Sequence, residues 1–166
     1  SVLRERVAKV IARAGICSRR EAERRIAEGR VKIDGKVLST PAVKVSPTDE
    51  ILIDDIPLPA PTPYRLWRYY KPNGLITTER DPQGRPTIFE KLPETLPRLI
   101  SVGRLDLNSE GLLLMTNNGD LGRKLELPST NWRRRYRARV HGRVNPALLD
   151  ELKGGINIDG INFGSI

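Results

Sequence analysis

Gly103-Arg104-Leu105-Asp106-Leu107-Asn108-Ser109-Glu110-Gly111-Leu112-Leu113-Leu114-Met115-Thr116 sets a glycine-bounded polar loop against an apolar run. Leu112 to Thr116 has the length of a strand, and Leu99 to Val102 is a second short apolar run on the loop's other side. The stretch predicts strand, loop and strand, with Asp106 on the loop. Loops held by rigid strands often carry chemistry. On composition alone, the plainer reading of Asp106 is a turn former.

The surrounding sequence continues the strand-rich pattern. Arg65 to Tyr70 is β-prone, Lys71-Pro72-Asn73-Gly74 reads as a turn, and Leu75 to Thr78 resumes a strand. Beyond the loop, Asp120 is placed to cap a short helix through Leu125, and Arg133 to Val140 reads as a basic strand. Asn145-Pro146 opens a helix through Lys153, with proline at its first position. Ile156 to Phe163 reads as a hairpin around Asp159-Gly160. Upstream, Pro57, Pro59, Pro61 and Pro63 alternate, which excludes a helix or central strand and predicts a stiff linker over residues 57–63.

The residues before that linker form a different unit. Leu3, Val7, Val10, Ile11 and Ala14 make a helical stripe over 3–13, with Gly15 as its stop. Ser18 and Glu21 are spaced as a capping box for a second helix ending near Glu28. Val31-Lys32-Ile33 and Lys36-Val37-Leu38 flank Asp34-Gly35, a two-residue hairpin signal, and Glu50 to Ile53 reads as a further strand. The expected organisation is a helix–helix–hairpin domain over 1–56, the linker, and an α+β domain with a mixed, mainly antiparallel sheet over 64–166.

Charge suggests a partner. The chain has 166 residues, with 29 Lys and Arg against 20 Asp and Glu, a net charge of +9. Its isoelectric point is near 10.1 and its mean hydropathy −0.42. Residues 1–35 carry ten basic and five acidic groups, a net +5, and residues 131–143 carry six arginines and no acid, leaving −2 for the rest. Arginine predominates in both islands, and its planar fork suits phosphate. Nucleic acid is the expected partner.

Several classes are excluded or disfavoured. No stretch reaches the roughly 20 apolar residues of a membrane helix. Ser1-Val2-Leu3-Arg4-Glu5-Arg6 lacks the apolar core of a signal peptide, so a cytoplasmic address is expected. One cysteine and one histidine leave no internal disulfide and no Cys/His metal site, so no metal is expected. Cys17 reads as a small buried side chain, Trp67 and Trp132 as packing residues, and His141 as structural or solvated.

The order Lys71-Pro72-Asn73-Gly74, then Gly103-Arg104-Leu105-Asp106, then Tyr136 in a basic segment resembles the ribosomal pseudouridine synthases of the RsuA/RluB type. The stretch from Gly103 to Leu121 matches the family's central motif almost throughout. Ala14-Gly15-Ile16-Cys17-Ser18-Arg19-Arg20-Glu21-Ala22-Glu23 and Gly29-Arg30-Val31-Lys32-Ile33-Asp34-Gly35 independently resemble an S4-like RNA-binding domain.

The resemblance implies isomerisation of uridine to pseudouridine in ribosomal RNA, on the large-subunit side, by a cofactor-free monomer. Asp106 matches the family's single aspartate; attack on the ribose, attack on the base and removal of a ribose proton all stay open. Arg104 matches the family's arginine, either pairing with Asp106 or filling the gap left by a flipped base. Tyr136 matches the tyrosine that packs on the target base. Arg134 stands where the family has lysine, a substitution that keeps charge but not geometry. Arg13, Arg19, Arg20, Arg24, Arg30 and Lys32 are expected to contact RNA phosphates, with Lys71, Arg133, Arg134 and Arg135 adding to them. A solvated helix face with pairs such as Arg19/Glu23 is the plainer reading of the front residues. The family's later arginine-rich motif is missing, so its catalytic domain is expected to continue past Gly164-Ser165-Ile166. A non-catalytic RNA-binding module, small-subunit RNA as substrate, and a hydrolase pairing Asp106 with Glu110 are the competing readings.

Overall fold

Apolar periodicity and turn chemistry build the front of the molecule. The computed structural model describes residues 3–165; Ser1 and Val2 of the expected first domain, and Ile166 at the chain's end, lie outside the described residues. Helix α1 spans Val7–Arg13 and α2 spans Arg19–Ala27. Leu3 to Arg6 are not helical as expected: Leu3 is exposed, and β1 (Glu5–Arg6) pairs antiparallel with β4 (Lys44–Val45). Backbone pairing thus takes Glu5 and Arg6 out of the expected helix, and α1 starts at an extended Arg6 without a side-chain cap. Ser18 caps α2 as its spacing predicts, accepting from the Glu21 amide at 3.1 Å. Glu21 does not return the bond; its carboxylate pairs with Arg24 and Arg25 instead.

Strands β2 (Val31–Ile33), β3 (Lys36–Val37), β5 (Ile51–Ile53) and β6 (Ile56–Pro57) form an antiparallel sheet ordered β3-β2-β5-β6. The β2–β3 turn has positive φ at Asp34 (48°) and Gly35 (79°), the geometry its sequence predicts. Pro57 closes the sheet as an edge residue, where a missing N–H is harmless. Val7, Ile11, Ala22, Ile26, Val31 and Ile53 are among the buried residues that join helices and sheet in one core.

A second core supports the sheet β7-β9-β8, made of β7 (Leu66–Lys71), β8 (Ile100–Val102) and β9 (Gly111–Thr116), all antiparallel. Leu113 and Met115 of β9 pack with Leu75, Ile88 and Leu99, flanked by Trp67 and Tyr69. Leu75 to Thr78 does not form the expected strand; Ile76 makes only a parallel bridge to Thr87. Pro82 and Pro86 lie in the returning segment and supply no amides for a ladder. Helix α3 (Gly119–Glu126) follows, capped by Asn118 rather than Asp120.

By its internal contacts the chain divides into two compact units, residues 1–132 and residues 133–166. In the second unit Arg133 to Val140 is not a strand, contrary to expectation. A strand needs a hydrogen-bonded partner, and the strands described there, β10 (Ile156–Ile158) and β11 (Ile161–Phe163), pair with each other. Their hairpin and helix α4 (Pro146–Glu151), capped by Asn145 with proline at its first position, follow the sequence expectation.

Candidate active site

Three strand ends converge on Asp106. The loop 103–110 leaves β8 after Val102 and enters β9 at Gly111, which lies opposite Lys71 in the β7–β9 register. Gly103 and Gly111 sit at φ 76° and 125°, values that side chains resist, so both loop ends require glycine. The Gly103 amide donates to Glu126 Oε1 of α3 at 2.6 Å. Inside the loop the Ser109 amide donates to the Asp106 carbonyl at 3.0 Å, and Leu105 packs on the core beneath.

The segment 71–77 grips this loop from below. The Gly74 amide donates to the Leu107 carbonyl at 2.8 Å, and Thr77 Oγ1 donates to the Leu105 carbonyl at 3.4 Å. Lys71 Nζ donates to the carbonyls of Ser109 (2.6 Å), Pro72 (3.0 Å) and Leu107 (3.4 Å). Its side chain is completely buried. Lys71 was expected among the phosphate contacts; the structure corrects this, because its ammonium is enclosed and used within the protein. Burial pulls its pKa down, while the charges of Asp106 and Glu110 oppose that shift. The signal was present in the period-two pattern: Trp67, Tyr69 and Lys71 share the face of β7 that meets the core.

Asp106 and Arg104 both stand exposed on the loop. Among the described residues no ion pair links them, so the expected Arg104–Asp106 pairing is not formed here. Tyr70 OH donates to Glu110 Oε2 at 3.0 Å, and that carboxylate pushes the phenol pKa up. Glu110 is thus engaged away from an acid–base pair with Asp106. Thr77 and Glu126 fix the loop, yet neither has a sequence signal that marks it.

The front cations are mostly paired. Arg13 holds Glu5 with both contacts at 3.1 Å, Arg24 holds Glu21 at 2.7 Å, and Arg30 forks onto Asp54 at 2.8 and 2.7 Å. Lys32 meets Asp55 at 2.5 Å, and Arg19 lies 3.8 Å from Asp120. The Arg19/Glu23 pair anticipated from spacing gives way to that Asp120 contact. Lys9, which was not singled out, links Glu5 (3.3 Å) to Asp120 (2.7 Å), and these carboxylates raise its pKa. Arg20 is exposed. These pairs lie at the surface, where such bonds contribute little and exchange readily.

Tyr136, Arg133, Arg134 and Arg135 are exposed and belong to the second compact unit. Cys17 is buried as expected, and burial pushes its thiol pKa up. Trp67 packs at the core edge under Arg65, 4.9 Å from its ring centre, whereas Trp132 is exposed. Among the described residues no group of three His, Cys, Asp or Glu side chains is arranged to hold a metal, and no helix is long and apolar enough to cross a membrane.

Residues 5–51 match the S4 domain family and residues 65–160 match the RNA pseudouridylate synthase family. An RNA-binding S4 domain ahead of an RNA-modifying enzyme domain is the class that this order defines. The chain belongs to the pseudouridine synthase family. It is 52% identical over 159 residues to an uncharacterized RNA pseudouridine synthase of Rickettsia felis, covering 96% of this chain and 69% of that protein. It is 44% identical over 161 residues to ribosomal large subunit pseudouridine synthase B of Escherichia coli O157:H7, covering 93% of this chain and 56% of that protein. The chain therefore spans about half the length of that relative. A crystal structure of a pseudouridylate synthase aligns with 76% of this chain and 54% of its own, at 30% identity and a TM-score of 0.40.

Proposed function

We propose that this chain isomerises a specific uridine to pseudouridine in large-subunit ribosomal RNA, with Asp106 as the catalytic carboxylate and no cofactor. The observation that carries this is the placement of Asp106: an exposed carboxylate on a backbone fastened to β7, α3 and the turn at Gly74. The reaction breaks the bond from the ribose C1′ to N1 of uracil and forms one from C1′ to C5. C5 gives up its proton and N1 gains one, so nothing is consumed. The Asp106 carboxylate serves as nucleophile or base in such a sequence.

The target base must leave its stack to meet Asp106. Arg104, beside Asp106 on the loop, fills the gap it leaves, and Tyr136 offers a face for the extruded ring. Arg19, Arg20, Arg24, Arg30 and Lys32 of the S4 domain, together with Arg133, Arg134 and Arg135, hold phosphates and orient the RNA. The six-arginine island at 131–143 supports that reading, as does the name of the 44% identical relative. The enzyme is read as a cytoplasmic monomer whose domains are the S4-like 1–56, the linker 57–63 and the catalytic 64–166. Pseudouridine mapping in ribosomal RNA from cells with and without the gene tests the function. The expected result is one large-subunit uridine that loses modification and is not restored by Asp106→Asn; restoration by that variant overturns the role of Asp106.

A further inference from the structure

Because Asn118 caps α3, the Asp120 carboxylate is left to bond outside its own helix, and it bonds to the S4 domain. Lys9 Nζ of α1 lies 2.7 Å from one of its oxygens, and a guanidinium nitrogen of Arg19, at the start of α2, lies 3.8 Å from the other. Lys9 also holds Glu5 at 3.3 Å and Glu5 holds Arg13 at 3.1 Å, so the contact runs back into β1 and α1. Asp120 is the only acid among the described residues that line the cleft at this contact, where Lys9, Arg13, Arg19, Arg98 and Arg123 are the cations. Without Asp120, like charges alone would face one another there.

Three residues earlier, Asn117 fastens the end of the proline-rich segment. Its Oδ1 accepts from the Arg65 amide at 2.8 Å, and its Nδ2 donates to the Pro63 carbonyl at 3.0 Å. One short turn, 117–120, therefore holds the S4 domain both by its chain connection and by its surface. The same turn opens α3, which is seated closely on the sheet. Gly122 is buried against Ile100 of β8, where an added Cβ would come within 3.1 Å of Ile100 Cδ1. At the far end of α3, Glu126 accepts from the Gly103 amide at the base of the Asp106 loop. Asp120 and Glu126 are thus separated by roughly 9 Å of helix.

We infer that α3 is a strut that sets the reach from the S4 domain to Asp106, and that Asp120, through Lys9 and Arg19, is the positioning residue that decides which uridine of a bound RNA meets the carboxylate. This rests on Asp106 as the catalytic group and on the S4 domain as an RNA anchor. Each ion pair is weak alone at a surface. Here the partners share one chain whose connection is fastened beside them, so the pair forms at high effective concentration. An acid in the first turn of α3 also suits the helix dipole, so variants on both sides of the contact separate the two roles.

The test uses the intact protein, with ribosomal RNA from cells lacking the gene as substrate. Asp120→Lys, Lys9→Glu and the double variant are compared by kcat/KM at the target uridine and by pseudouridine formed at neighbouring uridines. In the free protein, spin labels at Lys36→Cys of β3 and Lys124→Cys of α3, in a Cys17→Ala background, give the distance between the S4 domain and the strut. Asp120→Lys is expected to lower kcat/KM at the target about tenfold, to broaden the label distances and to spread modification onto neighbouring uridines. Lys9→Glu, which leaves α3 untouched, should act in the same direction. The double variant, with its charges exchanged, should recover about threefold or more of the Asp120→Lys loss. A rise in kcat/KM for Asp120→Lys would mean that the cleft simply attracts RNA, and it overturns the inference. Unchanged label distances, or a double variant no better than Asp120→Lys, overturn it too. If Asp120→Lys does not fold, the same readouts on Asp120→Asn and Lys9→Met decide. If the wild type isomerises no uridine, the functional reading fails, and the label distances still show whether Asp120 holds the S4 domain in place.

Discussion

The Asp106 loop and the Arg133–Val140 segment both carry expected site residues, but the structure treats them differently. The first is short, polar and held at almost every residue: glycines at both ends, Leu105 in a core, and carbonyls taken by Lys71, Gly74 and Thr77. The second is exposed throughout and is paired in no strand ladder among the described residues. The contrast extends to the units that contain them. Both buried hydrophobic clusters lie before residue 133, while Leu148, Leu149, Ile158, Ile161 and Phe163 are exposed. A pinned site is a product of burial nearby, since only a core gives a loop fixed points to bond to.

The largest expected effect tests the pinned half. Asp106→Asn should lower kcat by roughly 10²–10⁴ with RNA affinity unchanged, read by single-turnover isomerisation beside a filter-binding titration. A loss of affinity that matches the loss of rate would make Asp106 a binding residue. The next test measures burial itself. Met115→Ala removes a fully buried side chain under β9 and should cost about 2–5 kcal/mol in urea unfolding. Phe163→Ala, at an exposed position, should stay within about 0.5 kcal/mol. Equal costs would abolish the distinction between the units.

Much of this fold was legible because its signals are local. The Ser18 cap, the Asp34-Gly35 and Asp159-Gly160 turns and the Asn145-Pro146 helix start all act within four residues, and each is found where its chemistry puts it. The failures depend on distant partners. Leu75 to Thr78 is strand-prone, but whether it becomes a strand depends on what returns beside it, and prolines return. The same holds for Arg133 to Val140. At the site, Asp106 and Arg104 could be placed on a loop between strands, but the role of Lys71 depends on carbonyls more than thirty-five residues away. Charge composition indicated phosphate, but did not show that Arg13, Arg30 and Lys32 are already paired with carboxylates.

Tyr136 tests the exposed half. If its ring stacks on the target base, Tyr136→Ala should weaken productive binding by about 1–3 kcal/mol, whereas Tyr136→Phe keeps the ring and should stay close to wild type. Measured as kcat/KM, a loss in Tyr136→Phe as large as that in Tyr136→Ala would assign the role to the hydroxyl instead.

The smallest effect concerns the polar clasp between Asp81 and Arg85. Asp81 accepts from the Arg85 amide at 2.7 Å and holds its guanidinium at 2.9 and 3.0 Å, closing the turn that includes Gly84. Arg85 pulls the Asp81 pKa down to about 2. A carboxyl whose pKa is lower folded than unfolded adds stability above its unfolded value, near 4, and loses it as pH falls through its folded value. The clasp should thus be intact at pH 5, weaken below about 4 and be gone near 2, while Arg85 stays charged throughout. Amide exchange at Arg85 followed between pH 5 and 2.5, corrected for the intrinsic rate, reads this directly. Protection there should decline before that of the core strand β9, because the clasp answers to one proton, whereas β9 is held by apolar contacts that do not titrate. Simultaneous loss at both places would mean that the turn has no stability separate from the core.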